Sequence, residues 1–418
     1  MTTDPRYMID TAQNKEFLRD NARSLLSFGV RFASPGGSSY WLGDDGTPWT
    51  DRNRETWITC RMAHVYALGT ALGFPGSRPL VEAALRGIRG ELHDTANGGW
   101  YPGVTPQGEH LEGKQCYAHA FVILAACSAS LAGADGASGL LEEALELYDK
   151  RFWNDEEGLA CDTWNTEFTV LDDYRGLNAN MHTVEAFLAV ADVTGREEYR
   201  RRAGRMIDRV IGWAGANEWR IPEHFDKNWR ADLMCNKDRP DDQFKPFGAT
   251  PGHGIEWSRL ITQWALSTYG RDSEKTREYV DAARKLFDRA VEDGWFADGA
   301  PGIVYTTDWE GKPVVHDRMH WTLAEGINAS AVLYHVTGDD RYAQQYAAFM
   351  AYLDDKVIDH VNGSWFHQLD RENRLLGTVW KGKSDLYHAL QAMLIPYLAP
   401  DRSVAPALFE QQRSISLP

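Results

Sequence analysis

The amino-acid sequence predicts an all-α (α/α)6 barrel, a toroid of six helical hairpins with short β-strands in the connecting loops. Three observations predict it. Six polar clusters recur at near-even spacing, each runs into a small-residue apolar stretch, and amphipathic helices with one charged face lie between them. With Arg61, Tyr117, His182, His253, Trp321 and His388 as markers, the intervals are 56, 65, 71, 68 and 67 residues. Such a period indicates repeat architecture rather than the two or three domains that 418 residues would otherwise suggest. The expectation is one catalytic domain spanning residues 1–418.

The elements follow in order. Trp57 to His64 opens the first inner helix, and Tyr66 to Gly73 closes it at a glycine. Gln115 to His119 opens the second, which continues through the apolar run Phe121 to Leu131. Asn178 to Glu185 opens the third, which runs through Ala186 to Val193 and stops at Thr194-Gly195. Pro251 to Trp257 opens the fourth, and His320 to Glu325 the fifth, which stops at Thr337-Gly338. Asp385 to Gln391 opens the sixth. Glycine just past the last apolar residue suits the left-handed conformation that ends a helix. Helices greasy on all sides belong inside a ring, and those with one charged face, such as Glu142 to Tyr148 and Arg200 to Trp213, belong outside it. Glu142-Glu143 and Arg200-Arg201-Arg202 are therefore expected on solvated faces.

Between the helices, segments centred on Trp41, Trp100, Leu159, Trp219, Ile303 and Trp365 follow Gly or Asn turns and read as short strands. The long interval before Ile303 carries Met234 to Gly248, rich in Asp, Pro and Lys and expected to lie over the mouth of the ring. The tail from Pro400 to Pro418 is expected to be peripheral.

A formal charge of −16 disfavours nucleic acid or an anionic membrane as partner, since either needs a basic face. Cys60, Cys116, Cys127, Cys161 and Cys235 form no C-x-x-C pair, which favours a reducing compartment and thiols used as small apolar residues. Met1 to Asp10 has no basic segment followed by an apolar one, and Ala118 to Ala132 is too short and too polar to span a bilayer. A cytoplasmic enzyme, monomer or homodimer, is the expectation.

Parallel inner helices bring their starts to one end of the ring. Each start carries about half a positive charge, so the mouth suits a negatively charged intermediate. Arg61 brings a permanent cation, Asn178 a neutral donor, and His182, His253 and His388 groups that exchange protons near neutral pH. Trp57, Tyr117, Trp321 and Trp380 offer flat faces to the C–H surface of a sugar. Spacings of three or four put Arg61 with His64, Asn178 with His182, His253 with Glu256, and Trp321 with Glu325 on shared helix faces. Glu256 and Glu185 could each orient a neighbouring imidazole. His64, His119 and His320 sit beside better candidates, and His335 reads as packing.

Asn178-Ala179-Asn180-Met181-His182, Pro251-Gly252-His253-Gly254-Ile255-Glu256-Trp257 and Tyr387-His388-Ala389-Leu390-Gln391, with Arg61-Met62-Ala63-His64 upstream, resemble the N-acylglucosamine 2-epimerase superfamily. Within it the chain is most similar to the aldose–ketose isomerases acting on mannose, with the sulfoquinovose isomerases close behind. The resemblance implies an (α/α)6 barrel, a monosaccharide substrate, no metal or other cofactor, and a catalytic pair, His253 and His388. It puts Arg61, Asn178, His182 and Glu256 around the sugar oxygens and Trp321 and Glu325 along the wall, with His64, Tyr117, Gln391, Trp57 and Trp380 completing the binding set. The implied chemistry opens the ring at His253, moves the C2 proton by His388 through a cis-enediol, and steadies its oxygens with Arg61, Asn178 and His182. Reprotonation of C2 by His253 would instead make a 2-epimerase.

Thr322, where the cellobiose-directed branch tends to carry a second tryptophan, disfavours a disaccharide. Lys237, Arg239 and Lys245 could serve a sulfonate. Two other catalytic classes compete. His182-x-x-Glu185 and His253-x-x-Glu256 superficially suit two metals, but the dinuclear helical sites use Glu-x-x-His plus further carboxylates. A glycoside hydrolase needs two catalytic carboxylates across a cleft, for which Asp172-Asp173 and Glu325 are available, yet histidines outnumber carboxylates in the clusters. A non-catalytic sugar- or protein-binding toroid is the remaining alternative.

Overall fold

The computed structural model describes residues 4–412. Helix α1 (Ala12–Gly29) precedes α2 (Thr56–Ala71) and α3 (Ser77–Arg89), then α4 (Cys116–Leu131) and α5 (Ala137–Arg151). Next come α6 (Leu177–Thr194) and α7 (Glu197–Ala216), α8 (Pro251–Tyr269) and α9 (Glu274–Gly294), α10 (His320–Thr337) and α11 (Asp340–Tyr352). The chain finishes with α12 (Tyr387–Leu394) and α13 (Val404–Glu410). The even-numbered helices α2 to α12 pack in order, and α12 returns to α2. Each of α3, α5, α7, α9 and α11 packs on the inner helix before it, and α1 covers α12. Six hairpins thus close an (α/α)6 ring, with the sixth shared between the two ends of the chain.

Sequence explains which helix lies where. Every residue of α2 except Thr70 is buried, as expected of a helix apolar all round. Outer α7 buries only a stripe, Tyr199, Ala203, Met206, Ile207, Val210 and Ala214. Arg201 on its other face is exposed, whereas Arg202 reaches Asp149 of α5 at 2.5 Å and Arg200 holds Asp192 at 2.8 Å, so the expected solvated run also ties helices together. Gly195 and Gly338 end α6 and α10 with φ of 73° and 68°, the expected left-handed caps.

The loops at the mouth are built on one plan. Two-residue strands ahead of four inner helices pair with strands that follow the outer helix of the same unit: Arg54 with Val104, Lys114 with Trp164, Arg175 with Phe225, and Arg318 with Leu369. Each ladder passes one more bond to the helix. Thr56, Cys116, Leu177 and His320 donate their N–H to the carbonyls of Pro102, Asp162, Glu223 and His367 at 2.8–3.1 Å. These bonds replace side-chain caps, which all four helices lack.

The fourth residue of three inner helices anchors the loop beside it. Thr59 accepts from Ser39 N–H, His119 Nε2 from Trp100 N–H, and Asn180 from Ala160 N–H, at 2.9–3.1 Å. His119 is therefore a framework residue.

The strand expectation holds for Trp41–Leu42 and Leu159–Ala160. Trp100, Ile303 and Trp365 instead make isolated bridges just ahead of the pairing strands. Residues 217–219 form a turn with Glu218 and Trp219 at positive φ, and the pairing strand there is His224–Phe225.

The tail departs from expectation. Val404, Ala405, Ala407 and Leu408 of α13 are buried, and the helix packs on α2, α4 and α6, plugging the base of the ring. Residues 413–418 of the expected peripheral segment lie outside the described residues. No helix among the described residues is long and apolar enough to cross a membrane. All five cysteines are free.

Candidate active site

A cavity lies inside the mouth. Each inner helix contributes from its first turns: Arg61 from α2, Tyr117 from α4, Asn178 and His182 from α6, His253 and Glu256 from α8, Trp321 from α10 and His388 from α12. Trp380 and Asp385 enter from the loop before α12, and Gln243, Phe244 and Pro246 cover it from the long loop expected over the mouth. The Trp321 ring lies 5.0 Å from that of His253 and 6.0 Å from that of His388, and His182 is 6.3 Å from His388. Three imidazoles and an indole therefore surround one space.

Each imidazole is backed by a carboxylate. His388 Nδ1 lies 3.0 Å from Glu325 Oε1, which leaves Nε2 for a substrate. Glu325 thus stands behind His388 rather than along the sugar wall. His182 Nδ1 lies 3.5 Å from Glu185 Oε2, an oxygen that also accepts from Tyr387 Oη. His253 Nδ1 is 3.1 Å from Glu223 Oε1, so its carboxylate neighbour is Glu223 and not the expected Glu256.

Burial pushes His182 down to about 4, which leaves it a neutral donor or acceptor rather than a group that exchanges protons near neutrality. Burial also lowers His388, although the Glu325 bond works the other way, so it is a neutral base at pH 7.

Arg61 is less free than its sequence context suggests. Its Nη1 donates to Asp385 at 2.5 Å and its Nη2 to Tyr117 Oη at 2.8 Å, while the rings of Trp57, Phe121 and Tyr387 enclose it. Burial opposes ionisation of Asp385, but the Arg61 charge prevails and holds the carboxyl far below its usual range.

Glu256 has both oxygens buried without a hydrogen-bond partner. Burial, then the charge of Glu325, raise it well above the usual carboxylate range, which favours its neutral form at the cavity. Arg259 lies beneath it, with Nε donating to Glu325 at 2.8 Å and Nη2 at 3.5 Å from Glu256 and 4.0 Å from Glu185.

Residues 36–392 match the N-acylglucosamine 2-epimerase (GlcNAc 2-epimerase) family. The chain belongs to this family. It is 40% identical over 368 residues to a D-mannose isomerase of Pseudomonas cannabina pv. alisalensis, covering 88% of this chain and 89% of that protein. It is 38% identical over 400 residues to a D-mannose isomerase of Thermobifida fusca, covering 95% and 97%. A solved D-mannose isomerase structure aligns with a TM-score of 0.85 at 26% identity, covering 91% of this chain and 97% of that one.

Three expected binding residues of this family member lie elsewhere. Trp57 lines an outer vestibule of about 1230 Å³, together with Glu55, Asp162, Tyr174, Arg239 and Lys245. His64 and Gln391 sit one turn below Arg61 and His388 and line a separate small cavity at the base. There His64 Nδ1 is 2.7 Å from Ser128 Oγ, and burial pushes the imidazole down to about 4. His320 stacks on His367 at 3.8 Å and does not line the sugar cavity.

Among the described residues, two groups offer metal-ligating atoms within 4.8 Å of one another: His182, Glu185 and Glu256, and Glu256, Glu325 and His388. The Arg259 guanidinium already supplies positive charge among those carboxylates. Sequence reasoning did not single out Arg259, Glu223, Asp385 or Tyr387. Asp385 stood within a recognised cluster, but only its partner Arg61, 324 residues away in sequence, gives it meaning.

Proposed function

We propose that this enzyme interconverts D-mannose and D-fructose by moving a proton between C2 and C1 through a cis-enediol. The observation that carries the reading is a carboxylate-backed, neutral His388 lining the same cavity as His253 and fixed donors. His253 transfers a proton between O5 and O1 to open the ring. His388 Nε2 takes the C2 proton, and the C–H electrons form a C1–C2 double bond as the C1 carbonyl oxygen gains negative charge. Arg61, Asn178 and His182 steady the two oxygens, and neutral Glu256 donates to one of them. The O2 proton then passes to O1, with neutral Glu256 giving one proton and taking the other, and a carbonyl re-forms at C2 as the C1–C2 double-bond electrons take the proton back from His388 at C1. Trp321 and Trp380 stack on the sugar. Positioned acid–base work contributes about 100- to 10,000-fold, and fixed donors at a forming oxyanion add about 100- to 1,000-fold each.

All six units build this one cavity, so we treat the ring as a single catalytic domain. Free thiols suit a reducing compartment, and we place the enzyme in the cytoplasm.

The test is conversion of mannose in heavy water, followed by NMR. Deuterium at C1 of fructose is the expected outcome. Label appearing only at C2 of an aldose would assign a 2-epimerase, which the presence of His253 in the same cavity permits. Replacement of His388 by Asn should abolish turnover, and an unaffected variant would remove His388 from the mechanism.

A further inference from the structure

We infer that Arg259 is a positioning residue that orients the imidazole of His388 through the carboxylate of Glu325. The inference rests on the isomerase reading above, since it assigns Arg259 to the base of that reaction. Helix α8 presents His253, Glu256 and Arg259 at three-residue steps, so all three face the barrel axis, with Arg259 deepest. Its side chain is 3% exposed. Glu325 is fully buried between two groups, with Oε2 accepting from Arg259 Nε at 2.8 Å and Oε1 3.0 Å from His388 Nδ1. The guanidinium thus fixes the rotation of the carboxylate that fixes the ring. Asn328 Nδ2, 3.3 Å from Oε1, adds a neutral contact that cannot replace the charge.

The chemistry depends on which proton sits where. A carboxylate at Glu325 accepts from Nδ1–H, so Nε2 keeps its lone pair and can take a proton from carbon. Burial opposes that charge, and the Arg259 cation maintains it. Without Arg259, Glu325 takes up a proton and becomes a donor. Nδ1 must then accept, Nε2 carries hydrogen, and the ring can no longer act as a base. The same guanidinium stands 4.0 Å from Glu185, the carboxylate behind His182, so one cation supports two of the three imidazoles.

The test uses histidine labelled with nitrogen-15, with the His388 signals identified by their loss in His388→Asn. In the wild-type enzyme near neutral pH, hydrogen on Nδ1 and a bare Nε2 are expected. Arg259→Met should lose that tautomer and cut kcat for mannose about 100-fold or more while KM stays within about threefold. Arg259→Lys, which keeps the charge, should keep the tautomer and recover kcat to within about tenfold of wild type. An Arg259→Met enzyme with wild-type tautomer and kcat would overturn the inference. So would equal damage in both variants, with KM rising as kcat falls, which is the pattern of a merely structural role. Should Arg259→Met not fold, Glu325→Gln decides, because it breaks the same link with Arg259 in place, and wild-type turnover there refutes the idea. If the wild-type enzyme leaves mannose unchanged, the functional reading has failed, while the nitrogen spectra of the variants still settle the role of Arg259.

Discussion

Glu256 shows how much one buried side chain can decide. Glu185, Glu256 and Glu325 surround a single guanidinium, yet their carboxyls are shifted in opposite directions. Glu325 and Glu185 are held below their usual range because the Arg259 charge and their imidazole partners outweigh burial, while Glu256, without an imidazole bond and facing the Glu325 charge, is pushed up. The pH dependence follows. In the proposed reaction His388 acts as a neutral base, and its value is lowered, so kcat should fall only as pH drops below the ordinary imidazole value of about 6.5. Glu256 must keep its proton to donate, so kcat should also fall as pH rises through its raised value. Glu256→Gln retains a donor that cannot ionise and should lose the alkaline limb alone. An unchanged alkaline limb in that variant would assign the limb to another group. The sequence made the placement of His253 and His388 at one cavity readable, because imidazoles at the polar starts of apolar helices have few neighbours to confuse them. Arg259 was not readable, because a lone arginine inside an apolar run gains its role only from Glu325, 66 residues away.

At the scale of elements, two turns share one construction. Asp94 accepts from the N–H groups of Ala96 and Asn97, from the Asn97 amide and from Lys114 Nζ, all at 2.8–3.1 Å. Asp359 does the same with Val361, Asn362 and Lys383 at 2.5–3.0 Å. Gly98 and Gly363 then turn the chain at φ of 80° and 84°, delivering Trp100 and Trp365 to the core. The glycine–tryptophan part of this motif was visible in sequence as a periodic signal. Its lysine was not, since Lys114 lies 20 residues beyond Asp94 and reads as an ordinary surface cation. The ammonium is fully buried, so Asp94→Asn strands a charge, and a loss of about 3–5 kcal/mol is expected by urea unfolding. Adding Lys114→Met should recover part of it. A loss below about 1 kcal/mol would mean that water reaches the ammonium. Burial raises and the Lys114 bond lowers the Asp94 carboxyl, with a net depression, so its stabilisation is complete above about pH 4 and fades as pH falls through the depressed value.

The whole molecule is a ring whose two ends are sealed differently. Loops close the mouth, with Phe244 and Pro246 over the sugar cavity, and α13 closes the base. The ring itself was legible, because a helix period near 65 residues with greasy interiors leaves few other arrangements. The base plug was not, because Val404 to Leu408 is too short to show periodicity and its partners lie on three distant helices. Ser403 joins the two layers: its N–H donates to Asp192 at 2.8 Å and its Oγ accepts from Gln263 at 3.1 Å. Fully buried Leu408 alone accounts for about 1.5–3 kcal/mol. A chain ending at Arg402 should therefore melt several degrees lower than the full chain by calorimetry. It loses no residue that lines the sugar cavity, so its KM for mannose should stay within about twofold of the full chain when assayed well below the lowered melting point. An unchanged melting point would show that α13 rests on the ring without sealing it, and a KM raised tenfold would show that the base and the mouth are mechanically linked.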